Sequence, residues 1–157
     1  MAIRAMIGFA VLVCTVSVQA QVVLENTIKK IVTYVDDNGQ VQRRMVDATS
    51  VVPGDELQYQ VRFSNRGDQP VDAGTIVITD AIPEHTHYIP GTAFGAGTAV
   101  VFSADGERFA EPDDLLIQRD GRQVAAAAED YAAIRWTFAP SLEPGESGYV
   151  SFNVRLK

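Results

Sequence analysis

His85 and His87, in "EHTHY", are the residues of this chain best suited to hold a metal. Two positions apart on an extended segment, both imidazoles project to one side. With Asp80 or Glu84 they would offer nitrogen and carboxylate donors of the kind zinc and copper favour. The chain contains no third histidine, and a loop after Pro83 calls for polar residues without any metal. Ser147, in "PGESGY", sits in a setting that resembles the turn around a trypsin-like nucleophile, with a histidine and an aspartate earlier in the chain. The final glycine of that pattern is Tyr149 here, no histidine has a matching context, and a triad is defined by geometry rather than by chain order. Carboxylates cluster in "DDNG", "SADGE", "EPDD" and "RDG", but none has the alternating ligands and distant glutamate of a twelve-residue calcium loop. Turn-forming hydrogen bonds account for Asp and Asn in such places. "RGD", Arg66 to Asp68, is a coincidence of a turn. Trp136, Tyr34, Tyr59, Tyr88, Tyr131 and Tyr149 could form a sugar platform, although in a domain of this size aromatic residues serve first as core. The sequence therefore assigns no catalytic, cofactor-binding or metal residue.

The elements that would position these groups are strands. In "VVPGDELQYQVRFSN" the residues Leu57, Tyr59, Val61 and Phe63 alternate with Gln58, Gln60, Arg62 and Ser64, the period of a half-buried strand. Val150, Phe152, Val154 and Leu156 repeat the pattern, as do Ile134, Trp136 and Phe138. "GTIVITDAIP" and "AVVFSADG" are further short strands closed by turn residues. Asn38-Gly39 and Asp120-Gly121 each lie between strand-like runs and signal hairpins. Only "VAAAAEDYAA", Val124 to Ala133, reads as a short helix, on alanine propensity. Many short strands separated by Gly, Pro and Asp turns predict an all-β antiparallel sandwich, with at most that one helix near 124–133.

The first twenty residues read as a secretory signal peptide. Arg4 precedes the uncharged apolar run "AMIGFAVLVCTVSV", and "VQA" at Val18 to Ala20 supplies the cleavage site. Val13 before Cys14 does not fit a lipoprotein. Cleavage removes the single cysteine, leaving neither disulfide nor thiolate chemistry. The remaining 137 of 157 residues form one domain that buries roughly two-thirds of its unfolded surface. The chain carries a net charge of −7, which repels nucleic acid and anionic lipid, and no basic cluster offsets it. The organisation expected is a signal peptide at 1–20, an N-terminal strand hairpin at 21–48 and a sandwich at 49–157.

"VVPGDELQYQVRFSNRGDQPV", "IVITDAIPEHTHYIPGTA", "IRWTF" and "LEPGESGYVSFNVRL" follow one another in this order. Together they resemble the conserved-repeat domain of unknown function of the DUF-eleven type, found in secreted and surface proteins of bacteria and archaea. The resemblance spans about Thr49 to Lys157. It implies an immunoglobulin-like fold, Pro-Gly turns serving as sheet corners, and use as a stalk or spacer module in tandem arrays. One copy is present here, preceded by an extra hairpin.

Three functions follow as expectations. The first is a non-enzymatic exported structural, adhesive or envelope module, with protein partners or self-association through sheet edges. Another is a periplasmic metal- or ligand-binding protein using the His85–His87 edge, and the third is a secreted hydrolase. Within the first, "VVLENTIKKIVTYV", Val22 to Val35, either folds back as a strand of its own sandwich, the reading adopted, or adds to a neighbour's edge and builds a fibre.

Overall fold

The computed structural model describes residues 22–157; the segment 1–20, read above as a signal peptide, and Gln21 lie outside them. The chain is all-β. Strands β1 (Val22–Val35), β2 (Val41–Asp47), β3 (Glu56–Asn65), β4 (Ile76–Ala81), β5 (Thr86–Tyr88), β6 (Phe94–Gly95), β7 (Thr98–Ser103), β8 (Leu116–Arg119), β9 (Arg122–Ala125), β10 (Ala133–Phe138) and β11 (Ser147–Leu156) pair antiparallel throughout. One sheet runs β2-β1-β3-β11-β5, with β6 also on β11; the second is β4-β10-β7; β8 and β9 form a separate hairpin.

Alternation places Leu57, Val61 and Phe63 of β3 and Val150, Phe152 and Val154 of β11 inward, against Ile76 and Ile78 of β4 and Ile134 and Trp136 of β10. Aromatic contacts show which strands face each other. Phe63 meets Phe138 edge-on at 5.1 Å, Trp136 lies 6.0 Å from Phe152, and Tyr88 lies 5.4 Å from Phe102. Strand β10 thus covers β3 and β11, and β7 covers β5.

The first hairpin forms at Asn38-Gly39, where Gly39 takes φ 74°. Its turn is closed by the Asp36 carboxylate, which accepts the N–H groups of Asn38 (3.0 Å) and Gln40 (2.9 Å). Asp120-Gly121 forms the second, both residues having positive φ, the twist that matches a two-residue loop to right-handed strands. That hairpin overturns the helix expected over Val124–Ala133. Val124 and Ala125 belong to β9, opposite Ile117 and Leu116, and Ala133 opens β10. Only Ala128–Asp130 remains, as a single 3₁₀ turn whose Ala127 N–H donates to the Asp130 carboxylate at 2.8 Å. Alanine propensity over so few residues cannot repay helix nucleation once strand pairing competes for both ends. A second 3₁₀ turn spans Pro112–Asp114.

Glycine at 148 has a packing cause. A Cβ there would lie 2.9 Å from Cε2 of Phe63, whose ring is almost fully buried. Gly148→Ala is expected to cost about 2 kcal/mol through forced displacement of that ring, measured by urea unfolding against wild type.

Candidate interaction site

The groups that could have done chemistry do not converge. Ser147 opens β11, and its Oγ accepts a hydrogen bond from Arg62 Nη2 at 3.1 Å. His87 stands opposite Arg155, eight residues further along β11. At the rise of a strand that separates the two by about 26 Å. His85 adopts φ 62°, so the segment is extended only from Thr86 onward, and the one-sided histidine pair expected from spacing does not form. Both imidazoles are exposed. Among the described residues no three His, Asp or Glu side chains group as metal ligands.

The acidic turns hold themselves together. Asp105 Oδ1 accepts the N–H groups of Glu107 (2.9 Å) and Arg108 (2.8 Å) and the Ser103 hydroxyl (3.0 Å), while Oδ2 takes Arg108 Nε at 3.1 Å. Those backbone N–H groups, then the Arg108 side chain, hold the carboxyl far below its usual range. Asp36, Asp47 and Asp55 are lowered too, through hydrogen bonds led by Gln40, Lys29 and Lys30 respectively. A carboxyl whose folded pKa is depressed contributes stability above its unfolded value, near 3.8, and loses it as pH falls toward the folded value. Asp105→Asn is therefore expected to lower the thermal midpoint at pH 7, with the gap to wild type narrowing as pH falls below about 4. Thermal unfolding of the two chains across that range measures it. Arg66 of the "RGD" turn is engaged by Glu25 at 2.6 Å.

A different feature stands out, on one side of the sandwich. Val22, Leu24, Asn26 and Ile28 of β1 lie opposite Asn65, Phe63, Val61 and Tyr59 of β3. Paired residues share a sheet face, so these β1 side chains point toward the second sheet. That sheet ends at β4. Strand β4 is the neighbour of β10, which covers β3 and β11, and its residues Thr75 to Ile78 face Val22 and Leu24 across a cleft. Strands β1 and β2 consequently extend past the second sheet. Leu24 is 55% exposed and Ile28 45%, although both occupy the inward face. A cleft of about 250 Å³ lies between the two walls, lined by Val22 and Leu24 on one side and Val71 and Thr75 to Ile78 on the other.

Both borders of this opening are free backbone edges. Among the described residues strand β4 pairs only with β10. Ile82 N–H donates to Ala132 O at 2.8 Å, and alternation along an antiparallel ladder then turns the backbone groups of Val77 and Thr79 away from β10. On β1, pairing with β2 starts only at Lys29, which leaves the edge from Val22 to Ile28 without a second neighbour. Asp80, on the inward face of β4, has its carboxyl pushed up by burial, opposed by the Ala81 N–H. The arrangement is a sandwich with room for one more strand beside β4, above Leu24 and Ile28. The alternation of β1 marks those two as inward-facing in the sequence; their exposure depends on the width of the opposite sheet, which no local pattern encodes.

A second depression, of about 300 Å³, is lined by Tyr88, Pro90, Val100, Phe102, Pro112 and Tyr131. Phe102 and Tyr131 stack at 4.6 Å, and the Tyr88 hydroxyl accepts the Ala93 N–H at 3.1 Å. Burial, and then Tyr88, Asp113 and Asp130, raise the Tyr131 hydroxyl pKa above its usual value. This hollow offers apolar contact and no nucleophile–base pair.

Comparison of the chain with family models, curated proteins and solved structures gave no match. Among the described residues no helix is long and apolar enough to cross a membrane.

Proposed function

We propose that the chain is an exported, non-enzymatic interaction module of the cell envelope or surface that works by accepting a β-strand on the open side of its sandwich. One observation carries the binding part: among the described residues, a β4 edge without a strand partner stands beside inward-facing, half-exposed Leu24 and Ile28. Added strands gain affinity from backbone hydrogen bonds and selectivity from alternate side chains, and this opening offers both. Export rests on the charged start, the apolar run from Ala5 to Val18 and the small residues at 18 and 20. The resemblance of 49–157 to a conserved repeat of secreted and surface proteins agrees with it, as does the immunoglobulin-like arrangement that resemblance implies.

The test is fractionation of a bacterial host producing the full chain. The expected product begins at Gln21 by mass spectrometry and is recovered with the envelope or outside the cell. Its envelope association is lost in the Leu24→Lys/Ile28→Lys variant, whose circular dichroism stays β-dominated. A cytoplasmic chain that keeps residues 1–20, or a variant that associates as well as wild type, contradicts the proposal.

A further inference from the structure

We infer that the strand received on the open side is β2 of a second copy of this chain, so that copies join head to tail. The inference rests on the strand-accepting role proposed above and names the partner. Strand β2 is one end of the large sheet, carried by β1 alone among the described residues. The register of β1 on β3 ends at Ile31 opposite Glu56, so beyond it the β1–β2 ribbon projects with no third strand beside it. Its length suits the opening, with seven residues in β2 against six in β4. Gln42, Arg44 and Val46 share one face of β2, opposite Tyr34, Val32 and Lys30 of β1, so seating that face inward sets Arg44 on the same side as Asp80.

Charge selects this pairing over the alternatives. The segment from Thr75 to Glu84 carries Asp80 and Glu84 and no basic residue, whereas β2 carries Arg43, paired with Glu56 at 2.6 Å, and Arg44 in a chain of net charge −7. The one acid of β2, Asp47, is already paired with Lys29. The Arg44 guanidinium lies 5.2 Å from the centre of the Tyr34 ring, and neither it nor Asp80 makes an ion pair among the described residues. Pairing β4 with its own copy, or β2 with its own copy, sets like charges side by side; β2 on β4 sets opposite ones together. A contact between two different surfaces does not close by two-fold symmetry, and each added copy presents a fresh edge.

Two blocked chains test this by sedimentation. Val77→Pro removes a donor that faces the open edge of β4; Val77→Lys replaces it if the proline chain does not fold. Arg44→Glu spoils β2. Wild type is expected to sediment as species that grow with concentration, and each blocked chain as a monomer. Mixing the two blocked chains is expected to give a one-to-one dimer and nothing larger, because one intact β2 meets one intact β4. Continued dimerisation of Arg44→Glu alone would mean β4–β4 pairing, and of the Val77 variant alone β2–β2 pairing; either overturns the inference. A wild-type monomer at the highest soluble concentration also overturns it, and makes Arg43 and Arg44 guards against edge pairing. If envelope association still depends on Leu24 and Ile28 in that case, the strand-accepting role stands and only the identity of the partner is wrong.

Discussion

Asn65→Ala is expected to destabilise the domain by about 4 kcal/mol, among the largest effects of any single substitution here. Asn65 is fully buried at the end of β3. Its Nδ2 donates to Gln69 O at 2.7 Å and to Leu142 O at 3.0 Å, and its Oδ1 accepts the Gly67 N–H at 2.9 Å. Only one orientation of the amide satisfies two carbonyls and one N–H, so the side chain is fixed by its partners. It ties the turn after β3 to the segment before β11, where Leu142 and Val71 also exchange backbone hydrogen bonds. Alanine takes the side-chain partner from Gln69 O and the Gly67 N–H, each costing about 1–3 kcal/mol when water cannot reach it, while Leu142 O keeps the Val71 N–H. Asn65→Asp should be comparably damaging at pH 7, since an anion would face two carbonyls, and partly relieved at acid pH, where the protonated acid can donate. Urea unfolding at pH 7 and pH 4 distinguishes the two variants; near-wild-type stability in Asn65→Ala would contradict this account of the turn.

Trp136→Ala should cost about 4 kcal/mol, because the indole is almost entirely buried between the sheets and alanine leaves a large cavity. Trp136→Phe should cost far less. The indole Nε1 is buried with no hydrogen-bond partner among the described residues, and leaving such a donor dry costs roughly 1–3 kcal/mol. Phenylalanine removes that unpaired donor while keeping most of the contact with Phe152. The expected loss for Trp136→Phe is therefore under about 1.5 kcal/mol, against the larger loss for alanine. Equal losses for the two variants, measured by denaturant unfolding, would mean that the N–H is paired after all.

Strands were the most legible part of this chain. The alternation at β3 and β11, the apolar phase of Val22 to Val35 and the Asn-Gly and Asp-Gly hairpins all carry into the structure, because period two and turn chemistry are local properties. The helix over Val124–Ala133 failed because alanine propensity is weak beside a hairpin that claims Val124 and a central strand that claims Ala133. The histidine pair failed on a single residue: a left-handed His85 breaks the extended run on which the spacing argument depends. The aromatic residues considered as a platform divide by environment. Trp136 and Tyr88 are buried, while Tyr34 and Tyr149 remain exposed. The open side was only half legible. Alternation shows which way Leu24 and Ile28 point, but sheet width comes from pairings among strands distant in sequence, and those decide whether anything covers them.

Backbone hydrogen exchange at Val77 and Thr79 tests most directly the claim that the open side of the sandwich receives a strand. In the dilute, isolated domain these two amides face solvent from an unpaired edge and should exchange fast. In the associated protein recovered with its partner, exchange at both should slow by at least about tenfold, as expected of amides taken into a ladder, and the Leu24→Lys/Ile28→Lys chain should show no such slowing. Equal exchange in the isolated and associated protein would contradict the account.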